Sequence, residues 1–130
     1  MQVVIDPSVI LAVLLSEPER DALIRATISS VLITPASTPW EIGNALIAGL
    51  RRKRLSQDDV CAAWHSFEEV SLRFVEVDIS RALVTAARHG LYAYDAYVLE
   101  AAEARRVPLL TLDRTLAQAA EQVGVALLEI

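Results

Sequence analysis

Short runs of apolar, mostly β-branched residues alternate with longer stretches of helical periodicity along the whole chain. The longer stretches repeat their apolar residues with the period of a helix, whereas the short runs are apolar at nearly every position. The five short runs cover residues 3–5, 31–33, 74–77, 109–111 and 125–128. The helical stretches cover residues 8–15, 18–28, 38–53, 57–70, 80–89, 94–105 and 114–123.

This alternation constrains the fold more than any other feature of the sequence. Strands that are nearly continuous in apolar residues and are separated by helices predict a parallel sheet that is covered on both faces. The predicted fold is therefore α/β with three layers, a central parallel sheet of about five strands flanked by helices. With 130 residues the chain can bury a substantial core, and residues 1–130 are expected to form a single domain.

Several features bear on where the protein is expected to reside. The longest apolar run, Val9 to Leu15, falls far short of the ~20 residues that a membrane-spanning helix needs. The N-terminus lacks a basic region, and Asp6 interrupts its apolar stretch, which argues against a signal peptide. A single cysteine, Cys61, excludes an internal disulfide framework and fits a reducing compartment. We therefore expect a cytoplasmic protein without a membrane association.

Four acidic residues are predicted to meet at one edge of the sheet. Asp6 directly follows the first strand-like run, and Asp113 lies just past the fourth. Glu41 and Asp95 lie at the starts of the helical stretches that begin near residues 38 and 94. In an open parallel sheet, ligands bind outside the carboxyl ends of the strands, and the helices that leave the strands begin at that same edge. The four carboxylates are therefore expected to converge there.

Each of these acids also has a purely structural interpretation. Asp6 and Asp113 stand where helix N-caps are expected, and Asp95 would complement a helix dipole. Thr38 and Glu41, three residues apart, fit a capping box that satisfies backbone N–H groups at a helix start. For any one of the four taken alone, capping is the favoured interpretation. However, caps also accept Ser, Thr, Asn or Gly, so acids at all four helix starts on this edge exceed what capping requires. Glu41 is accordingly predicted to cap its helix and also to face a common site.

A cluster of carboxylates in one cleft needs either protons or a cation. Two like charges about 4 Å apart repel each other by on the order of 4 kcal/mol at an effective dielectric near 20. Mg²⁺ or Mn²⁺ suits an all-oxygen site, whereas His65 and His89 lack partners at ligand spacing and are interpreted as structural, so zinc is not supported. An ion of this kind can lower the pKa of bound water and neutralise charge on a phosphoryl oxygen. Phosphodiester hydrolysis is the reaction that such a site suits.

A run of four consecutive basic residues has two interpretations. The net charge of -5 argues against nucleic-acid binding by bulk electrostatics, which makes a local cluster of positive charge more noticeable. The favoured interpretation is a solvated helix C-terminus whose cations complement the helix dipole. The alternative is a patch that contacts phosphate groups. The residues concerned are Arg51, Arg52, Lys53 and Arg54.

The aromatic residues also have two interpretations. Tyr92, Tyr94 and Tyr97 flank the third acidic residue and could stack on nucleic-acid bases, although packing is favoured for at least two of them. Trp40 and Trp64 are interpreted as core or interface residues.

Four strings of sequence become specific when their order and spacing are taken together. They are VVIDPSVILAVLLSEP at 3–18, TPWEIGNAL at 38–46, YDAYVLEAA at 94–102 and LLTLDRTL at 109–116. In combination they resemble the PIN-domain ribonucleases and, within these, the VapC-type toxins of toxin–antitoxin pairs. The resemblance covers nearly the whole chain.

The resemblance implies roles for particular residues. The residues that it implies for catalysis, and for binding Mg²⁺ or Mn²⁺, are Asp6, Glu41, Asp95 and Asp113. The residues that it implies as their supports are Ser8, Asn44 and Thr111.

The resemblance also implies an activity and partners. The expected protein is a metal-dependent endoribonuclease toxin that hydrolyses RNA with an activated water. It is expected to form a homodimer and to be neutralised by a small antitoxin, which wraps the helices near the N-terminus and fills the cleft. A hydrophobic content of 54% fits a surface that another chain covers. Residues 51–54 are the first candidates for RNA contacts. The alternative function is that of a non-catalytic PIN fold that only binds or regulates a partner.

Overall fold

The structure is a computed structural model that describes all 130 residues. In chain order its elements are β1 (Gln2–Ile5), α1 (Pro7–Leu14), α2 (Arg20–Thr27), β2 (Val31–Pro35), α3 (Thr38–Arg51), α4 (Gln57–Glu69), β3 (Arg73–Val75), α5 (Ile79–His89), α6 (Ala93–Arg105), β4 (Leu109–Leu110) and α7 (Arg114–Val123). The predicted alternation of strands with helices is confirmed. No helix is both long enough and apolar enough to cross a bilayer.

The sheet is parallel throughout, and its strand order is β3-β2-β1-β4. In its register Val3 lies beside Leu32, and Ile5 lies beside Leu110. β1 is therefore an inner strand, and its last three residues are almost completely buried. Asp6, which follows β1 directly, consequently lies in the middle of the carboxyl edge of the sheet.

The sheet has four strands instead of the predicted five. The segment at residues 125–128 runs beside β4 but pairs with it at a single bridge, between Leu109 and Leu127. The reason is the shortness of β4. The carbonyl groups of Pro108 and Leu110 accept hydrogen bonds from the β1 side, so only Leu109 presents both backbone groups to the outer side. One residue cannot sustain a regular ladder.

Helices cover both faces of the sheet, as predicted. On one face Val4, Ile33 and Leu109 pack against residues of α5, α6 and α7. On the other face Val3 and Ile5 pack against residues of α1, α2, α3 and α4. The alternation of neighbouring β1 residues between the two clusters follows from the two-residue period of a strand. The three-layer α/β architecture is thereby confirmed.

Helix α3 begins without the predicted capping box. Ser37 holds the N-cap position, and no side chain caps the helix. Thr38 is buried, and its hydroxyl lies 2.6 Å from the hydroxyl of Thr34. Since Thr34 donates its proton to the carbonyl oxygen of Ile5 at 3.2 Å, Thr38 is the donor to Thr34. This contact anchors the start of α3 to the sheet and leaves Glu41 without a capping role.

The Thr34–Thr38 pair leads to a prediction about stability. Replacing Thr34 by Val should lower the free energy of unfolding by about 1–3 kcal/mol, because the buried hydroxyl of Thr38 would lose its acceptor. Equilibrium urea unfolding measures the change. Thr34→Ser retains the hydroxyl and serves as the control. If the Val variant unfolded at the same urea concentration as wild type, the pair would contribute nothing to stability.

Candidate active site

Asp6 combines deep burial with a fixed orientation. It is the N-cap of α1, as predicted, and accepts the backbone N–H of Ser8 at 3.3 Å. The hydroxyls of Ser8 and Thr111 donate to the same carboxylate oxygen, Oδ2, at 3.0 Å in the case of Thr111. Because no buried side-chain oxygen in the structure lacks a partner, Oδ1 of Asp6 must keep contact with solvent. The carboxylate therefore presents one defined oxygen to the cleft.

Asp113 is held by the start of the last helix. It is the N-cap of α7, as predicted, and its Oδ1 accepts backbone N–H groups of Thr115 at 2.8 Å and Leu116 at 3.1 Å. Its position relative to Asp6 depends on Thr111, whose hydroxyl accepts the Asp113 N–H at 3.0 Å while donating to Asp6. One hydroxyl thus links two of the acidic residues.

Ser8 adds a second link across the same cleft. Its hydroxyl donates to Asp6 and accepts the backbone N–H of Leu112 at 3.1 Å. The start of α1 is therefore tied to the loop before α7, a contact between segments 104 residues apart in the chain. Together, Ser8 and Thr111 set the geometry between Asp6 and the α7 loop.

Glu41 and Asp95 complete the acidic group from two different layers. Each lies in the first turn of its helix, Glu41 in α3 and Asp95 in α6. Both side chains are partly buried, and neither makes a hydrogen bond. Their carboxylates are therefore less constrained than those of Asp6 and Asp113.

Electrostatic repulsion shows that the four carboxylates share one environment. Burial, followed by the charges of Asp6 and Asp95, raises the pKa of Glu41 to about 7. Burial, followed by the charges of Asp6 and Asp113, raises the pKa of Asp95 to about 6. Burial also raises the pKa of Asp6, with a contribution from Asp113, although the hydrogen bonds from Ser8 and Thr111 oppose the increase. The structure therefore brings all four acids to the same edge of the sheet.

The carboxylate oxygens at this edge suit a hard divalent cation, although they are not arranged as a complete coordination shell. No three acidic, histidine or cysteine side chains are placed so that they could hold an ion as they stand. The available donors near the edge are carboxylate oxygens, which Mg²⁺ and Mn²⁺ prefer, and a cation would relieve the repulsion that raises the pKa values. Glu41 and Asp95 make no hydrogen bond that would resist rotation toward an ion. The residues thus fit the ion in chemistry and in charge.

The histidines lie elsewhere. His65 is within 3.4 Å of Glu69 on the same helix, and His89 contacts Gln122 at 2.8 Å. Neither is associated with the acidic residues.

Two groups of predicted site residues are not joined to the acids. Asn44 is exposed and makes no hydrogen bond, so its orienting role stays a prediction. The basic residues 51–54 lie at the other end of α3, about 15 Å from Glu41 along the helix axis. They are exposed and form no ion pair.

Trp64 is packed as predicted, and Trp40 lies outside the core, so its alternative interpretation as an interface residue stays a prediction. Trp40 is 73% exposed and does not belong to the core, whereas Trp64 packs on Phe67 with ring centroids 5.1 Å apart. Tyr92 is 86% exposed, whereas Tyr94, 40% exposed, packs edge to face on Tyr97 with ring centroids 5.9 Å apart, in agreement with the prediction that at least two of the tyrosines pack around the helix start. The position of Trp40 could have been read from helical phase, because α3 buries residues 38, 42 and 46 and position 40 falls outside that stripe.

Comparison with known proteins places these features in a family. The PIN domain family model matches residues 3–122. Ribonuclease VapC3 from Pyrobaculum aerophilum is 30% identical over 123 residues, which cover 91% of this chain and 94% of the relative. The crystal structure of PAE2754 from Pyrobaculum aerophilum matches with a TM-score of 0.70 and 27% identity, over 92% of this chain and 84% of the other.

A more distant match has the same fold. The crystal structure of VapBC2 from Rickettsia felis, bound to a DNA fragment from their promoter, has a TM-score of 0.66 at 12% identity and covers 99% of this chain and 98% of the other. The extent of the family match and the identity to a relative along nearly its whole length lead to one conclusion. The chain belongs to the PIN domain family, in which it is a homologue of the VapC ribonucleases.

Proposed function

We propose that this protein is a metal-dependent endoribonuclease of the VapC type, which hydrolyses RNA phosphodiester bonds at the carboxyl edge of its sheet. The main support is the convergence of four carboxylates whose charges repel one another there. Membership of the PIN family and the identity to a ribonuclease support the same chemistry. The residues proposed for catalysis and for metal binding are Asp6, Glu41, Asp95 and Asp113.

Mg²⁺ or Mn²⁺ is the proposed cofactor, held by these four residues. When bound, such an ion supplies a water of lowered pKa and neutralises charge on a phosphoryl oxygen. Without a cation, the raised pKa of Glu41, about 7, means that a large fraction of its carboxyl groups holds a proton at neutral pH. Protons and the proposed cation therefore compete for the same carboxylates.

The chain itself contributes a fixed geometry. Asp6 is oriented by three hydrogen bonds to Oδ2, which leave Oδ1 directed to the solvent side of the cleft. Asp113 is fixed by two backbone N–H groups at the start of α7. A site that is organised before the substrate arrives needs little rearrangement during the reaction. Ser8 and Thr111 are thus positioning residues in this proposal.

Thr111 offers a test of that positioning role. Thr111→Val should lower the cleavage rate by about 10–100-fold, because Asp6 and Asp113 lose their common hydroxyl. Thr111→Ser keeps the hydroxyl and should restore most of the activity. The rate at saturating RNA should fall more than KM changes. If the Val and Ser variants cleaved RNA equally well, the hydroxyl would have no positioning role.

RNA contacts are proposed for the basic run at the end of α3. The four side chains are exposed and unpaired, so their charges are available to phosphate groups. They lie too far from Glu41 to contact the scissile phosphate, so they would bind the strand at a distance from the cut. These residues are Arg51, Arg52, Lys53 and Arg54.

An antitoxin and a second copy of the chain are the proposed protein partners, and the cytoplasm is the proposed location. A groove of about 500 Å³ lies between α1, α2 and the starts of β2 and β3, and 12 of its 16 lining residues are hydrophobic. Ile28 and Val31 on this groove are 80% and 48% exposed. An apolar surface of this kind suits a protein partner, and we assign it to a small antitoxin.

The test of the proposed function is cleavage of whole-cell RNA by the purified chain, separated from any bound partner. Discrete fragments are expected with Mn²⁺ and none with a chelator in excess. Sequencing of the new ends would then identify the RNA that is cut. If the folded protein cleaved no RNA under either condition, the result would favour the non-catalytic PIN fold. Equal cleavage with the chelator would contradict metal dependence.

A further inference from the structure

A polar cavity of about 320 Å³ lies between α5 and the ends of α6 and α7. Only two of its eight lining residues are hydrophobic. The polar residues of its wall are Ser80, Arg81, Thr85, Arg88, His89 and Glu103. The charges and hydrogen-bonding groups of these side chains decide which ligand the cavity suits.

Two arginines in the wall have no partner within the protein. The guanidinium groups of Arg81 and Arg88 make no hydrogen bond, and the two ion pairs of the structure lie elsewhere. Glu103, the one carboxylate in the wall, does not approach either of them closely enough to form an ion pair. The hydroxyls of Ser80 and Thr85 also donate to no protein atom, so these donors stay in contact with solvent. The wall therefore holds an excess of hydrogen-bond donors and of positive charge.

The helix dipole explains one of these arginines but not the other. Arg88 lies in the last turn of α5, where a positive charge is favourable. Arg81 lies in the first turn of the same helix, where a positive charge is unfavourable. Asp78, the acid nearest to it in the chain, accepts its backbone N–H and does not pair with its guanidinium. The charge of Arg81 therefore needs an explanation outside the helix.

The helix that carries both arginines is held at each end by a side-chain contact. At its start, the buried carboxylate of Glu100 on α6 accepts the backbone N–H of Asp78 at 3.1 Å. At its end, Nδ1 of His89 lies 2.8 Å from Oε1 of Gln122 on α7. Since an amide oxygen only accepts hydrogen bonds, Nδ1 is the donor. These contacts tie α5 to α6 and to α7, so the wall of the cavity is arranged before a ligand binds.

The cavity is distinct from the acidic site and from the basic run at the end of α3. None of the four acids lines it, and Glu103 lies about 12 Å from Asp95 along the axis of α6. α5, α6 and α7 pack on one face of the sheet, whereas α3 packs on the other. A group bound in the cavity therefore contacts neither the proposed metal site nor residues 51–54.

Phosphate is the ligand chemistry that this wall suits. The planar guanidinium of an arginine presents a fork of N–H donors that matches the oxygens of a phosphate group. Hydroxyl groups supply further donors to such an anion. Arg81 and Arg88 are two helical turns apart, about 10.5 Å along the axis of α5. A ligand with two neighbouring phosphate groups can therefore contact both arginines at once.

We propose that this cavity binds two neighbouring phosphate groups through Arg81 and Arg88, with the hydroxyls of Ser80 and Thr85 as further donors. Neighbouring phosphates are present both in an RNA strand and in a nucleoside diphosphate, so the test includes a probe for each source. None of the residues proposed for catalysis takes part in this site. The inference therefore does not depend on the proposed ribonuclease function.

Binding to the purified protein in excess chelator tests the proposal, because phosphate then has no divalent cation to bind at the acids. The probes are pyrophosphate, measured by calorimetry, and a short fluorescent oligouridylate, measured by anisotropy. Arg81→Gln and Arg88→Gln should each weaken binding by about 10-fold, since each removes a charged hydrogen-bond donor. For the oligouridylate, each variant should also reduce the slope of log affinity against log salt by about 0.7.

The two probes distinguish the sources of phosphate. A loss of affinity confined to pyrophosphate assigns the cavity to small phosphate ligands, whereas a loss for the oligouridylate assigns it to an RNA strand. Arg88→Lys keeps the charge but not the fork of donors, so it should recover only part of the affinity. Glu103→Gln should instead strengthen binding, by about 2–5-fold, because it removes the one negative charge from the wall.

Arg25→Gln is the matched control, since Arg25 is an exposed arginine without an ion pair on α2, in the layer on the other face of the sheet. It should leave both affinities unchanged. The proposal is overturned if the wild-type protein binds neither probe, or if Arg81→Gln and Arg88→Gln have no effect on either. It is also overturned if Arg25→Gln weakens binding as much as they do, because the arginines would then act only through the net charge of the protein. Weaker binding by Glu103→Gln would contradict it as well.

Discussion

Asp6→Asn is expected to reduce RNA cleavage by about a hundredfold or more while the protein stays folded. Asp6 is the most central of the four acids, and its carboxylate contributes to the raised pKa of both Glu41 and Asp95. Asn has nearly the same shape and is itself a good N-cap, so the start of α1 should be preserved. What the substitution removes is one negative charge from the proposed metal site. Initial rates with Mn²⁺, together with circular dichroism of both proteins, measure the effect.

The matched control for this prediction is Asp78→Asn. Asp78 is also an N-cap, accepting the backbone N–H of Arg81 at 3.1 Å, but it does not belong to the acidic group. The control should cleave RNA at the wild-type rate. A rate for Asp6→Asn equal to that of wild type would show that this carboxylate does not take part in catalysis.

The second large effect that we expect is a decrease in stability as pH rises, which the proposed divalent cation should reverse. The pKa of Glu41 is about 7 in the folded protein against 4.5 for an isolated side chain, and that of Asp95 is about 6 against 3.8. In this range the folded state binds more protons than the unfolded state, so the free energy of unfolding must fall as pH rises. The decrease in the free energy of unfolding begins near the pKa values of the unfolded state, 3.8 and 4.5, and is complete just above pH 7. The metal-free protein should accordingly melt at a lower temperature at pH 8 than at pH 5.

The expected decrease in melting temperature is on the order of 5 °C, after allowance for screening of these partly exposed groups. If Mg²⁺ binds the charged carboxylates as proposed, it should raise the melting temperature at pH 8 and have much less effect at pH 5. Differential scanning fluorimetry with and without a chelator measures both changes. Asp59, whose hydrogen bonds to Ser56 lower its pKa, loses its contribution only at more acidic pH and does not interfere.

Glu41→Gln provides the control for the pH effect, because it removes the group with the pKa of about 7. This variant should show a flatter pH dependence and a smaller response to Mg²⁺. A wild-type melting temperature that does not change between pH 5 and 8 in chelator would contradict the claim that the buried carboxylates repel one another. The same holds if Mg²⁺ stabilises Glu41→Gln as much as wild type.

The sequence predicts elements best where the determining interactions are local. Asp6 and Asp113 could be predicted as N-caps because each follows a strand and precedes a helix directly, and their bonds reach residues two or three positions away. The capping box at Thr38 failed because Thr34, in the preceding strand, takes up the Thr38 hydroxyl instead. The predicted fifth strand failed since its pairing depends on the length of β4, which its own residues do not reveal.

In the candidate site, too, the sequence predicts what depends on local pattern and topology but not the long-range side-chain contacts. The positions of its acids at one edge follow from the parallel topology, which the alternation of strands and helices predicts. The links from Thr111 to Asp6 and from Ser8 to Leu112 join segments more than a hundred residues apart, and local pattern alone cannot predict them. For Asn44 the spacing from Glu41 predicts a shared face, but the side chain is exposed and makes no hydrogen bond to the acids. Contacts of this kind depend on side-chain directions in the folded protein.

The most direct test of the central claim measures Mn²⁺ binding and RNA cleavage in the same samples. Electron paramagnetic resonance reports the unbound Mn²⁺ as it is titrated into wild type and Asp6→Asn, and the cleavage rate is recorded at each point. If the four carboxylates form the metal site of a nuclease, the rate should rise in proportion to bound Mn²⁺, and both should be largely lost in the variant. Full cleavage without bound Mn²⁺, or equal binding of Mn²⁺ by the variant, would contradict the claim.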